Sequence, residues 1–234
     1  AGKDIEFDYS IIRPAGSRLQ TMGGKASGPE PLKSLLTFAR ERILRRQGRR
    51  LRTIDAHDII CKIGECVVAG GVRRSAMISL SALDDVELRD AKKGQFYLTD
   101  GHRAMANNSA VYETKPTNAE LMDEWVALMK SGSGERGIFN RGALEKTMPE
   151  RRFKYLEKKH GAGKMKGYIG QVGTNPCGEI ILQSKQFCNL SEVIARAEDT
   201  EASLLRKTKL ATILGTYQST LTKFNYISKD WTEN

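Results

Sequence analysis

The chain has 234 residues, 39% hydrophobic and 28% charged, and 38 Lys and Arg against 28 Asp and Glu leave a formal net charge of +10. That is apolar material for one large core or two small ones, which excludes an intrinsically disordered chain; no run approaches the roughly 18 consecutive apolar residues of a membrane span. The four cysteines, at 61, 66, 177 and 188, are too few and too unevenly spaced for a secreted disulfide framework. With no C-x-x-C pair, and with His57, His102 and His160 far from the cysteines in sequence, ligand spacing gives no metal site. Reduced thiols, a cytoplasmic location and no membrane partner are expected. The opening residues AGKDIEFDYS lack the apolar centre of a signal peptide, and a first residue other than Met is expected to mark an internal piece of a longer chain.

Ile5, Phe7, Tyr9 and Ile11 alternate with polar residues, which predicts a half-buried strand ending at Arg13-Pro14. Residues 13–31 follow as a long loop punctuated by Gly23-Gly24 and Gly28-Pro29. Leu32, Leu35, Leu36, Ala39 and Ile43 keep helical spacing, with Arg40, Arg42, Arg45 and Arg46 between them, predicting an amphipathic helix with a solvated basic face. Asp55 is the expected N-cap of a second helix whose apolar stripe is Ile59, Ile60, Ile63 and Val67. Cys61 and Cys66 lie on or beside it and read as small half-buried hydrophobes. Gly70-Gly71-Val72-Arg73-Arg74 breaks that pattern, and residues 76–80 resume as a strand, so the rhythm is α/β.

Thr117 and Glu120 form a capping box for a helix carrying Leu121, Met122, Trp125, Leu128 and Met129 on one face. Residues 137–140 read as a buried strand, residues 145–171 as a long basic connection with little periodicity, and residues from about 201 to 221 as another helix.

The stretch that carries chemistry is Thr174-Asn175-Pro176-Cys177-Gly178-Glu179-Ile180, followed by Phe187-Cys188-Asn189-Leu190. Proline fixes its own φ and biases Asn175 toward extended geometry, while Gly178 permits a turn. A cysteine can thus stand at a loop tip, with an amide and a carboxylate two residues to either side; in an extended loop all three side chains project the same way. N-P-C-G is also an ordinary turn sequence, and the residues alone leave both readings open.

The longer string, with Cys188-Asn189-Leu190-Ser191 eleven residues after Cys177, resembles the radical-cysteine loop of ribonucleotide reductases. It is most similar to the adenosylcobalamin-dependent class II enzymes, and among them to the monomeric ribonucleoside-triphosphate reductases. Residues 13–31, including Ser27 and Gly28, resemble the family's first specificity loop. Residues 70–76, with Gly70, Gly71, Arg73 and Arg74, resemble its second, where guanidinium forks suit nucleotide bases and phosphates. Residues 105–109, 134–140 and 210–220 fit as well, in family order.

The resemblance implies a ten-stranded α/β barrel of two five-stranded halves, of which residues 1–234 are a partial catalytic domain, with residues 172–191 as the finger loop at its centre. It also implies reduction of a ribonucleoside triphosphate to the deoxyribonucleotide, with adenosylcobalamin as cofactor, a dNTP as allosteric effector and a thioredoxin-like reductant acting through a C-terminal segment this chain lacks. Cys177 would carry the thiyl radical, Glu179 would be the base on the ribose 3′-hydroxyl, and Asn175 would hold the ribose hydroxyls. Cys188 would be one of two reducing thiols, its partner lying upstream of this chain. The fragment alone is expected to be inactive, with exposed apolar barrel edges. Two alternatives stand beside this reading. One is a reductase of another radical class, diiron-dependent and acting on diphosphates. The other is a basic nucleic-acid-binding module, disfavoured because no aromatic residue interleaves the seven arginines of residues 40–52.

Overall fold

A computed structural model describes residues 5–20, 23–68, 75–161 and 163–232. The chain divides into two compact units, Ala1–Gly170 and Gln171–Asn234.

The first unit opens with two helices, α1 (Glu30–Arg45) and α2 (Thr53–Cys66), followed by a parallel three-stranded sheet in the order β1 (Met77–Ser81), β2 (Ala106–Val111), β3 (Gly137–Phe139). Parallel neighbours need long crossovers. Here the first carries two short helices, α3 (Val86–Arg89) and α4 (Phe96–Thr99), and a 3₁₀ turn, Gly101–Met105; the second carries α5 (Asn118–Ser131). The capping box of α5 forms as the sequence implies: Glu120 N–H donates to Thr117 Oγ1 at 3.2 Å and Thr117 N–H to Glu120 Oε2 at 2.8 Å. Gly132, at φ +69°, ends the helix in the left-handed conformation that a side chain resists.

The central strand β2 buries Ala106, Asn108, Ser109, Ala110 and Val111. Buried arginine and lysine side chains tie its neighbours together. Arg136 donates to both oxygens of Glu124 on α5 (2.9 and 2.6 Å) and to Ser81 Oγ at the end of β1 (2.6 Å). Lys92 donates to Ala106 O and to Glu135 Oε1, the latter at 2.8 Å.

A second network joins α1, α2 and the 3₁₀ turn. Asp58 is completely buried and receives a bidentate guanidinium from Arg103, at 2.6 and 2.9 Å, while Arg42 lies 3.3 Å away. Burial alone would raise this carboxyl; the Arg103 hydrogen bonds and His102 overcome it and hold Asp58 well below the usual carboxylate range. Beside it the imidazole of His57 lies 3.5 Å from the Cys61 thiol. Burial first, then neighbouring cations, lower His57 to about 4, and burial pushes Cys61 up to about 12.

Several expectations are corrected. Residues 5–11 form no strand: they run irregularly into a turn with Ile5 and Ile11 exposed, and among the described residues no neighbour supplies a ladder. Asp55 is not the N-cap of α2 but its third residue, accepting from the Arg52 backbone N–H at 3.2 Å and from its guanidinium. The face that α2 buries is mixed, carrying Asp55, His57 and Asp58 beside Ile54 and Cys61; of the expected stripe, Ile59 is half-buried and Ile60, Ile63 and Val67 are exposed. Ion pairs decide this orientation, and they also turn Arg42 and Arg46 inward from the basic face expected of α1. Residues 137–139 do form a strand, but Ile138 is 60% exposed because β3 is the sheet edge.

Residues 145–171 are not a structureless connection. α6 (Leu144–Thr147) runs into this stretch, which also contains α7 (Glu150–His160) and α8 (Met165–Gly170). In α7, Glu150 sits in the first turn and Lys158, Lys159 and His160 in the last, charges that complement the helix dipole. The observed architecture is mixed α/β with small sheets; no ten-stranded barrel is present among the described residues. No helix there is long and apolar enough to cross a membrane.

Candidate active site

The second unit contains a short antiparallel pair, β4 (Gly173–Thr174) and β5 (Ile181–Leu182), and a long helix, α9 (Glu201–Ser219). The strands bracket the six residues from Asn175 to Ile180. Gly178 N–H donates to Asn175 O at 3.0 Å, which closes a turn with Pro176 and Cys177 at its two central positions. Asparagine first and proline second is favourable turn chemistry. Gly178 adopts φ +86°, open to glycine at little cost. The loop is therefore a hairpin with Cys177 exposed at its apex, not an extended segment.

Asn175 organises the hairpin from inside. Its Oδ1 accepts from Ile180 N–H at 3.1 Å, and its Nδ2 donates to Glu179 Oε1 at 2.7 Å. Thr174 Oγ1 adds a bond to Ile180 O at 3.0 Å. The fold thus brings Asn175 and Glu179 into direct contact beneath the cysteine. Cys188 is half-buried, and its thiol is raised above its ordinary value by desolvation first and then by the charges of Glu179 and Cys177. The unit thus presents an exposed thiol at the hairpin apex, a carboxylate hydrogen-bonded to an amide, and a half-buried second thiol that feels the charges of Glu179 and Cys177.

The sequence reading missed the groups that fix the Cys188 segment. Phe187 stacks on Phe224, ring centres 4.7 Å apart and 27° between planes, and its centre lies 5.6 Å from that of Trp231. Asn189 Nδ2 donates to Gly215 O in α9 at 2.9 Å, and Lys185 pairs with Asp230. One signal was available: a glycine inside a helical pattern marks a close approach. A Cβ at 215 would lie 2.8 Å from Ser191 Oγ.

In the first unit, residues 13–20 and 23–31 fold against each other through Gly16 N–H to Ala26 O (2.9 Å) and Ala26 N–H to Ser17 O (2.7 Å). Ser27 Oγ donates to Val68 O at 2.8 Å, just beyond α2. Gly28, at φ +75°, sits where a Cβ would be 3.0 Å from Ala15. The remaining expected effector-loop residues, Gly70, Gly71, Arg73 and Arg74, lie outside the described residues.

No family model matches the chain, and no solved structure matches it. Curated relatives do. The chain is 39% identical over 191 residues to the adenosylcobalamin-dependent ribonucleoside-triphosphate reductase of Lactobacillus leichmannii, covering 80% of this chain and 23% of that protein. Identity is 36% over 200 residues to the protein of the same name from Lactobacillus gasseri, covering 82% and 24%, and 34% over 195 residues to that of Levilactobacillus brevis, covering 81% and 23%. The chain spans about a quarter of the length of these proteins. It is thus a homologue of the adenosylcobalamin-dependent ribonucleoside-triphosphate reductases.

Proposed function

We propose that the chain carries the radical-bearing cysteine and one reducing thiol of a ribonucleoside-triphosphate reductase, an enzyme that replaces the ribose 2′-hydroxyl by hydrogen. The observation that carries this reading is the hairpin in which Asn175 holds Glu179 at 2.7 Å beneath the exposed Cys177. An exposed thiol at an apex fits a radical cofactor approaching from outside the loop; none of the described residues is assigned to holding the cobalamin itself. When bound, adenosylcobalamin supplies a carbon-centred radical by homolysis of its cobalt–carbon bond.

As a thiyl radical, Cys177 takes the hydrogen atom from the ribose 3′-carbon and becomes a thiol. Glu179 accepts the 3′-hydroxyl proton, and the 2′-oxygen, protonated by a reducing thiol, leaves as water. Cys188 and a second thiol together supply two electrons and two protons: one proton leaves in the water, the other hydrogen goes to the 2′-carbon, the sulfurs close a disulfide, and Glu179 returns its proton to the 3′-oxygen. Cys177 returns its hydrogen atom to the 3′-carbon and is again a thiyl. Asn175 has two tasks in this scheme, orienting Glu179 and holding the ribose hydroxyls. Neither remaining cysteine is given the role of the second thiol: Cys61 is buried with its thiol pushed up to about 12, and Cys66 is half-buried at the end of α2 with its thiol raised by burial. The effector is a dNTP read at the Ser27–Gly28 loop and residues 70–74, the reductant is thioredoxin-like, and the setting is the cytoplasm.

The test uses the full-length reductase with adenosylcobalamin. Cys177→Ser is expected to abolish both loss of the 3′-hydrogen and deoxynucleotide formation, and retained product would overturn the assignment. Cys188→Ser is expected to spare 3′-hydrogen abstraction while blocking normal reduction.

A further inference from the structure

The two cysteines of the second unit are held in different ways. The Cys177 hairpin is tied mostly to itself, through Asn175, Thr174 and Ile180. The segment bearing Cys188 is tied to residues well beyond it in sequence. Its neighbour on one side, Phe187, stacks on Phe224 at 4.7 Å and lies 5.6 Å from Trp231. Its neighbour on the other side, Asn189, donates to Gly215 O at 2.9 Å. Lys185 adds an ion pair to Asp230. Missing Cβ bulk at Gly215 lets Ser191 come close against α9.

We infer that Phe224 and Asn189 are positioning residues for Cys188, clamping the backbone on both sides of the reducing thiol so that its sulfur is held where substrate reduction requires it. This inference rests on the reading of Cys188 as a reducing thiol. The physical argument is one of alternatives. A cysteine that donates a proton and an electron, and then must meet a second sulfur within disulfide geometry, tolerates little displacement. A half-exposed irregular segment has no ladder to fix it, so an aromatic stack and a side-chain amide bond take that role. Neither anchor touches the Cys177 hairpin's own hydrogen bonds, so the clamp acts on the reduction step and not on hydrogen abstraction.

The experiment measures two rates in the full-length reductase with adenosylcobalamin, loss of tritium from 3′-labelled substrate and single-turnover deoxynucleotide formation with disulfide closure at Cys188. Phe224→Ala and Asn189→Ala are each expected to slow product formation and disulfide closure roughly 10- to 100-fold, the scale of a misplaced reacting group, with tritium loss changed much less. Phe224→Tyr, which keeps the ring, is expected to restore the rate. Equal loss of both rates, or an unchanged product rate in Phe224→Ala and Asn189→Ala, would overturn the clamp while leaving the Cys188 assignment standing. Undiminished product from Cys188→Ser would instead overturn the assignment, and the clamp with it.

Discussion

The two units solve opposite problems with similar residue types. In Ala1–Gly170 the reactive-looking groups are buried and neutralised. Asp58 is locked by Arg103 and Arg42, Cys61 is shut away beside a neutral imidazole, and Arg136 is spent on Glu124 and Ser81. In Gln171–Asn234 the groups proposed for the chemistry are accessible, Cys177 at a hairpin apex and Glu179 close by in sequence, with rigidity supplied by a few side-chain bonds at the base. The lesson is that charge and thiol chemistry by themselves do not mark a site. A cysteine next to histidine looks reactive in the first unit and is the less reactive one, because burial raises its thiol to about 12.

The contrast can be broken most directly at Asp58. Replacing it by Ala removes the buried carboxylate that Arg103 and Arg42 share, leaving them only Asp100 in common, at 3.5 and 3.6 Å, and the expected loss of stability is about 3–5 kcal/mol, as for one partner removed from a buried pair. A urea midpoint close to that of the parent chain would show that the network is ornamental and the contrast false.

Acidification sharpens the same point. His57 is held near 4 against 6.5 in the unfolded chain, so below pH 6.5 the unfolded state takes up a proton that the folded state refuses. Stability from this group is therefore whole above pH 6.5 and falls as pH drops toward 4. Asp58 adds a further loss at lower pH, since its folded value is depressed and its stabilising charge disappears on protonation. Urea midpoints between pH 7 and 4 test the His57 part, where His57→Gln is expected to flatten the slope, and midpoints below pH 4 test the Asp58 part.

Apolar surface is what the two units share. Trp125 and Met129 on α5, Ile138 on β3, and Leu210, Ile213 and Leu214 on α9 are all more than half-exposed or nearly so. Contiguous apolar patches and a bare strand edge favour association. In sedimentation velocity the 234-residue chain is expected to associate as concentration rises, with Trp125→Lys and Ile138→Lys together reducing this; a monomer across the range would contradict it. The smallest expected effect is at the α5 capping box, where Thr117→Ala should cost about 1 kcal/mol in a thermal or urea transition.

Local signals were readable wherever the residues that decide an element are neighbours in sequence. The Thr117–Glu120 box, the β1 and β3 segments, the α9 periodicity and the turn chemistry around Cys177 all fall in this group. Two of the errors share a cause, a partner distant in the chain. The alternating residues 5–11 needed a partner strand that the described residues do not supply, and the inward face of α2 was set by arginines from α1 and residue 103. The α7 region is different: its own terminal charges mark it, and the surrounding glycines hid them.

For the site, the sequence by itself placed Asn175, Cys177 and Glu179, the groups proposed for the chemistry, within five residues and under one proline–glycine turn. Tertiary structure decided how they are presented: a closed hairpin in place of an extended loop, Asn175 spent on Glu179, and Cys188 gripped through Phe224 and Gly215 from 27 to 36 residues away. Hydrogen bonds and ring contacts across such separations follow from the packed chain, since no local rule links the residues that make them.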